Sequence, residues 1–166
     1  GRNGGTVAQS YNDGVVGGIS GPEASTNVGG LVGYNLDGGE VVECFSTGEV
    51  SGGGAVGGLV GFSSGSIVHC YSAGWVNGNW SVGGLVGDNY GDIAASFWDI
   101  HTSGQTESAG GTGLTTAEMQ TGATFLDAGW DFVGETANGT EDIWWILEGK
   151  DYPRLWWEAE KLTIDY

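Results

Sequence analysis

A chain of 166 residues has room for one domain, or for a repeat array with a small appendage. Its net charge is −17, with only Arg2, Lys150, Arg154 and Lys161 basic, so neither a nucleic-acid partner nor an anionic membrane surface is expected. Glycine supplies 35 residues, about three times the usual share, without a Gly-X-Y period; collagen is excluded, and plentiful aliphatic and aromatic residues argue against disorder.

The first repeated element runs through Val7, Ser10, Tyr11 and Val15 and starts inside a repeat, which points to a piece of a longer chain. A Gly/Pro-rich insertion around Gly21-Pro22-Glu23-Ala24-Ser25 follows and reads as a surface loop. Val-Gly-Gly-Leu-Val-Gly then appears three times, at 28–33, 56–61 and 82–87. Between copies the frame is Gly-x-Ile/Val, Cys/Ser-Tyr/Phe, Gly-x-Val, and Cys44, Cys70 and Ser96 fall at successive steps of 26 residues. The apolar segments are short, β-branched and bounded by Gly, Asn, Asp or Ser, which is strand-and-turn punctuation with no helical period.

Short strands at a fixed period fit an all-β fold: a parallel β-solenoid of about four coils, each stacked roughly 4.8 Å above the last. Columns follow from the period. Val7, Val41, Ile67 and Ile93 form one, Leu31, Leu59 and Leu85 another, and Val50 and Val76 a third. Tyr11, Phe45, Tyr71 and Phe97 form an aromatic ladder, either structural or open to glycan stacking. Gln9, Glu43, His69 and Ala95 form a mostly polar column expected to face solvent. The glycines beside each Leu supply positive φ at corners or allow close approach of neighbouring coils.

After Asp99 the frame decays, and residues 100–114 read as a polar loop. Thr115-Thr116-Ala117-Glu118 has capping-box spacing and opens a short helix. Phe125–Phe132 and Ile143–Leu147 are aromatic-rich strand candidates, and five of the eight tryptophans fall in this region. The division is 1–100 for the repeats, 101–160 for an aromatic-rich cap containing the short helix, and 161–166 for an extra strand or the start of a following segment. No apolar run approaches the roughly 20 residues of a membrane span.

The repeats resemble the GLUG-motif family of bacterial secreted and surface proteins. Gly30-Leu31-Val32-Gly33, Gly58-Leu59-Val60-Gly61 and Gly84-Leu85-Val86-Gly87 carry the likeness, and the Cys-Phe/Tyr-Ser-x-Gly-x-Val segments at Cys44 and Cys70 reinforce it. The tail resembles the aromatic C-terminal segment that follows such repeats. The resemblance implies a repeat fold at the bacterial cell exterior and no single activity.

No catalytic residues are expected. No Lys or Arg lies between Asn3 and Gly149 to serve as the base of a β-helix lyase, and His-Glu-x-x-His is absent. His69 and His101 are the only histidines; Asp88, Asp92 and Asp99 are more simply turn residues than a glycosidase pair. No cofactor is expected, with one weak calcium alternative: Asp88, Asn89 and Asp92 form either an Asx turn or a cation loop. Cys44 and Cys70, one coil apart, form either a disulfide or two small buried thiols in the slot of Ser10 and Ser96. The N-terminal edge has no evident cap, so the expected function is a structural subunit of an extracellular filament or surface layer whose partner is itself. Leu162, Thr163, Ile164, Asp165 and Tyr166 are the candidate assembly strand. The alternative is an adhesin or carbohydrate-binding module using Trp75 and Trp80; a polysaccharide-acting enzyme stands third.

Overall fold

A computed structural model describes residues 1–18 and 27–159. The insertion around Pro22 and the candidate assembly strand Leu162–Tyr166 lie outside them. Among the described residues the fold is all-β, with nineteen short strands, three short helices and parallel pairing throughout the repeats. The chain divides into two compact units, Gly1–Thr115 and Thr116–Tyr166.

Four parallel ladders build the first unit, and each takes one strand from each repeat. The first contains Arg2–Asn3, Val32–Asn35, Val60–Ser63 and Val86–Asn89. The second contains Thr6–Ala8, Glu40–Val42, Ser66–Val68 and Ile93–Ala94. Tyr11–Asn12, Phe45–Ser46, Tyr71–Ser72 and Phe97–Asp99 form the third, extended by Thr112–Leu114. The fourth joins Val16–Gly17, Val50–Gly57 and Val76–Gly83, and Val28–Gly29 also pairs with the middle strand.

The register follows the hydrophobic columns. Val7 pairs with Val41, Val41 with Ile67 and Ile67 with Ile93. Val41 and Ile67, in the inner repeats, are wholly buried, and with Leu59, Leu85, Val60 and Val86 they form the core; Val7 and Ile93 are partly buried. Tyr11, Phe45 and Tyr71 stack face to face at 4.9 and 5.0 Å, and Phe45 and Tyr71 are fully buried, so this part of the ladder is a packing element.

Two expectations resolve differently. Of the two roles offered for the glycines beside each Leu, close approach is the one observed: a Cβ on Gly58 would run into the carbonyl of Gly84 and the hydroxyl of Ser72. Positive φ instead falls on the polar column, at Gln9 (44°), Glu43 (54°), His69 (50°) and Ala95 (44°), and these residues are half-buried corners, not solvent-facing strand positions. The cause is the next residue. Ser10, Cys44, Cys70 and Ser96 turn inward, and each hydroxyl or thiol donates to the carbonyl two residues back at 2.8, 3.1, 3.2 and 2.8 Å. That bond closes the corner and holds a non-glycine residue in the left-handed region at a cost of about 1 kcal/mol.

Residues 100–114 are not wholly loop. Thr112–Leu114 adds a fifth strand to the third ladder, and Val76, Gly84 and Thr112 N–H groups donate to Ser103, Glu107 and Ser96 carbonyls. Ser108 Oγ accepts from the Leu85 and Val86 N–H groups at 3.2 and 2.9 Å. The segment therefore covers the last repeat over the third and fourth ladders and reaches the first at Val86.

In the second unit, Thr116–Met119 is helical, and a second helix spans Gly122–Leu126. The strand expected from Phe125 is thus helical at its start; Phe132 forms only an isolated bridge to Trp144. Trp144–Trp145 pairs antiparallel with Arg154–Leu155. Fully buried Phe125, Trp130 and Trp144 pack with ring centroids 4.8 and 4.6 Å apart.

Candidate functional site

In this chain the strands nearest Gly1 are outermost members of the four ladders. Arg2–Asn3, Thr6–Ala8, Tyr11–Asn12 and Val16–Gly17 are terminal strands, each paired on one side only. Such a row of backbone donors and acceptors accepts another strand in register.

Side chains along this edge belong to two columns that run the height of the unit. Asn3 Nδ2 donates to Asn35 Oδ1 at 2.9 Å, and buried Asn35 Nδ2 donates to Ser63 Oγ at 3.2 Å and to the Gly39 and Ser66 carbonyls at 3.3 and 3.2 Å. Beside it runs an outer strip. Arg2 lies 5.2 Å over the Tyr34 ring, Tyr34 meets Phe62 edge-on at 4.8 Å, and Phe62 stacks on Tyr90 at 5.5 Å. Neither column was anticipated, although both stand in Gly33-Tyr34-Asn35, Gly61-Phe62-Ser63 and Gly87-Asp88-Asn89, directly after each Leu-Val.

The anticipated candidates fall elsewhere. Cys44 and Cys70 are free, buried thiols one above the other, and the Cys44 N–H donates to Cys70 Sγ at 3.4 Å. Cys70 N–H makes the same bond to Ser96 Oγ at 3.1 Å, so Cys and Ser occupy one structural slot. Burial pushes the Cys70 thiol well above its ordinary pKa, opposite to what a reactive thiolate requires. The Asn89 carboxamide closes a turn on Gly91, donating to its carbonyl at 2.9 Å and accepting from its N–H at 3.2 Å. Asp88 Oδ1 accepts the Asn89 N–H at 3.0 Å. Asp92 lines a cleft of about 220 Å³ with Asp37 and Glu40, yet among the described residues no group of three or more His, Cys, Asp or Glu is arranged to hold a metal ion.

Asp99 is buried in the third ladder and accepts the His101 and Thr102 N–H groups at 2.7 and 3.1 Å; Asp88 belongs to the first ladder and Asp92 precedes the second. The three carboxylates sit at different places in the repeat and face no common cleft among those described. Trp75 and Trp80 are 51% and 73% exposed; Trp75 lies against Gly104, and Trp80 pairs across to Ala55.

His69, at its left-handed corner, has its pKa lowered by partial burial, and neighbouring Glu43 opposes the shift. A depressed folded pKa means that the unfolded chain binds the proton more readily. The contribution of His69 is therefore present above the unfolded value near 6.5 and is lost as pH falls from there through the lower folded value. His69→Gln is expected to make the decline of the urea midpoint between pH 7.5 and 5 shallower than in the parent. Parallel curves would show that the imidazole stays hydrated.

Comparison with known proteins agrees with the repeat pattern. Residues 24–51 match the family model described as the GLUG motif. A protein of Evansella cellulosilytica, whose name describes a Gly-rich membrane protein, is 39% identical over 140 residues. The aligned region covers 83% of this chain and 13% of that relative, so the chain spans a small part of the relative's length. No solved structure matches. No helix among the described residues is long and apolar enough to cross a membrane. The chain therefore carries the GLUG motif that its repeats resemble.

Proposed function

We propose that the chain is a non-enzymatic structural subunit of the bacterial cell surface. Its four ladders form a β-solenoid of about four coils, and copies associate head to tail by strand addition at the open lower edge into an extracellular filament or surface layer. The observation that supports this reading is the stacking of like strands in four parallel, in-register ladders, which a strand of another copy could extend. A heterologous contact that does not close on itself propagates into a fibre. The donor is either the tail Leu162–Tyr166 or an edge of the repeat body. Light scattering and negative-stain images of the purified chain test the reading: polymers support it, and a monomer near 17 kDa at all concentrations sinks it. Polymers that persist after deletion of Lys161–Tyr166 eliminate the tail as donor and leave the body.

A second reading, an adhesin or carbohydrate-binding module, draws on the exposure of Trp75 and Trp80. Binding on a glycan array that disappears in Trp75→Ala or Trp80→Ala would favour it.

A further inference from the structure

We infer that Trp75 and Glu49 form a binding site for a cationic glycan, a polymer of hexosamines whose amines are free. The inference rests on the carbohydrate-binding reading above and names its site and its substrate class. Val50 and Val76 N–H groups donate to the Trp75 and Ser103 carbonyls at 2.8 and 3.0 Å, so Glu49, Trp75 and Ser103 stand at successive levels of one column. Val50 and Val76 are fully buried, whereas Glu49 and Trp75 beside them are exposed, on the face turned away from the core. The site lies on the side of the stack and needs neither end of the repeats to be open.

Trp75 is an exposed indole with a fixed seat. A Cβ on Gly104 would run into the six-membered part of its ring, and Gly104 has a φ of +67°. A glycine in the left-handed region thus brings bare backbone against the indole. The residue nonetheless remains 51% exposed. A flat apolar ring that is held before a ligand arrives loses little rotamer freedom on binding. The C–H face of a pyranose stacks on such a surface, and an ammonium beside it is drawn to the negative face of the ring. Trp80, 73% exposed on the strand Val76–Gly83, adds a second indole, which suits a polymer better than a single sugar.

Charge selects the glycan. No Lys or Arg lies between Asn3 and Gly149, so an anionic polysaccharide meets no counter-charge from the repeats around Trp75. The Glu49 carboxylate, one level from the indole, pairs instead with an ammonium, and the net charge of −17 raises the local concentration of cations. The same electrostatics would admit a lysine-rich peptide. Its ammonium groups, however, ride on flexible four-carbon stems that lose rotamer freedom when held. A hexosamine carries its amine and its apolar face on one rigid ring, and this favours the sugar.

The test is calorimetric titration of the full chain at about pH 6, where the amine is protonated and the carboxylate ionised. The probes are a glucosamine hexamer, its N-acetylated counterpart and hexalysine. The parent is expected to bind the glucosamine hexamer about tenfold or more tightly than either of the others. Trp75→Ala should weaken that binding by about tenfold, and Glu49→Gln by several-fold with a shallower salt dependence. Circular dichroism checks that both variants, altered at exposed positions, keep the fold. Equally tight binding of the N-acetylated hexamer would overturn the amine requirement and leave carbohydrate binding standing. Hexalysine bound as tightly as the sugar would overturn the inference, because charge alone would then be read. Variants that both bind as the parent does would overturn this site. A parent that binds no sugar, charged or neutral, would overturn the carbohydrate-binding reading itself, and this inference with it.

Discussion

Gly58→Ala is expected to lower stability by about 3 kcal/mol or more. The methyl would be forced between the Gly84 carbonyl and the Ser72 hydroxyl, both in the fully packed interior of the stack. Backbone cannot step aside as a flexible side chain can, so relief requires moving a whole strand against its ladder. Against the 5–15 kcal/mol typical of a folded domain, such a loss should shift the urea midpoint severely or prevent folding. Gly38→Ala is the comparison. Nothing lies within 4 Å of its added Cβ, but its φ is +73°, so only the left-handed penalty of about 1 kcal/mol applies. Equal midpoints for the two variants would show that close approach between repeats does not limit Gly58.

Asn35→Ala should follow at about 2–4 kcal/mol, because it removes one acceptor and both N–H donors of a carboxamide inside a buried column. The Asn3 carboxamide loses one of its two recorded acceptors and keeps the Glu40 carbonyl, whereas the Gly39 and Ser66 carbonyls lose a buried donor. Asn35→Asp sharpens the test. A carboxylate there faces two carbonyls and its folded pKa is raised above the unfolded value near 3.9, so its penalty is absent below that pH and grows as pH rises. Denaturation at pH 7 and at pH 4, each relative to the parent, should show the larger deficit at pH 7. A deficit independent of pH would place Asn35 in contact with water.

The ladders were legible because period and register are the same information in a stacked chain. Once Cys44, Cys70 and Ser96 are spaced evenly, Val41, Ile67 and Ile93 must align. The corners were not, because Gln9, Glu43, His69 and Ala95 share no side-chain property; their conformation is set by the hydroxyl or thiol of the following residue. Thr112–Leu114 escaped for a related reason: a Gly-containing polar segment pairs through its backbone, which composition does not reveal. Around Phe125, aromatic density suggested a strand, whereas packing on Trp130 is satisfied equally well from a single helical turn. At the edge, the columns through Arg2 and Asn3 were visible in the triplets after each Leu-Val but carried no sign of their pairing until the register placed Asp88 and Asn89 at the opposite end.

In all four ladders the backbone bonds between repeats point along the direction in which the repeats succeed one another. Tension along that direction is shared by every ladder, so two neighbouring repeats separate only when a full set of bonds fails together. Tension across it acts on one ladder at a time and can peel that ladder open. The protein is thus tough along one axis and tearable across it, like timber with its grain.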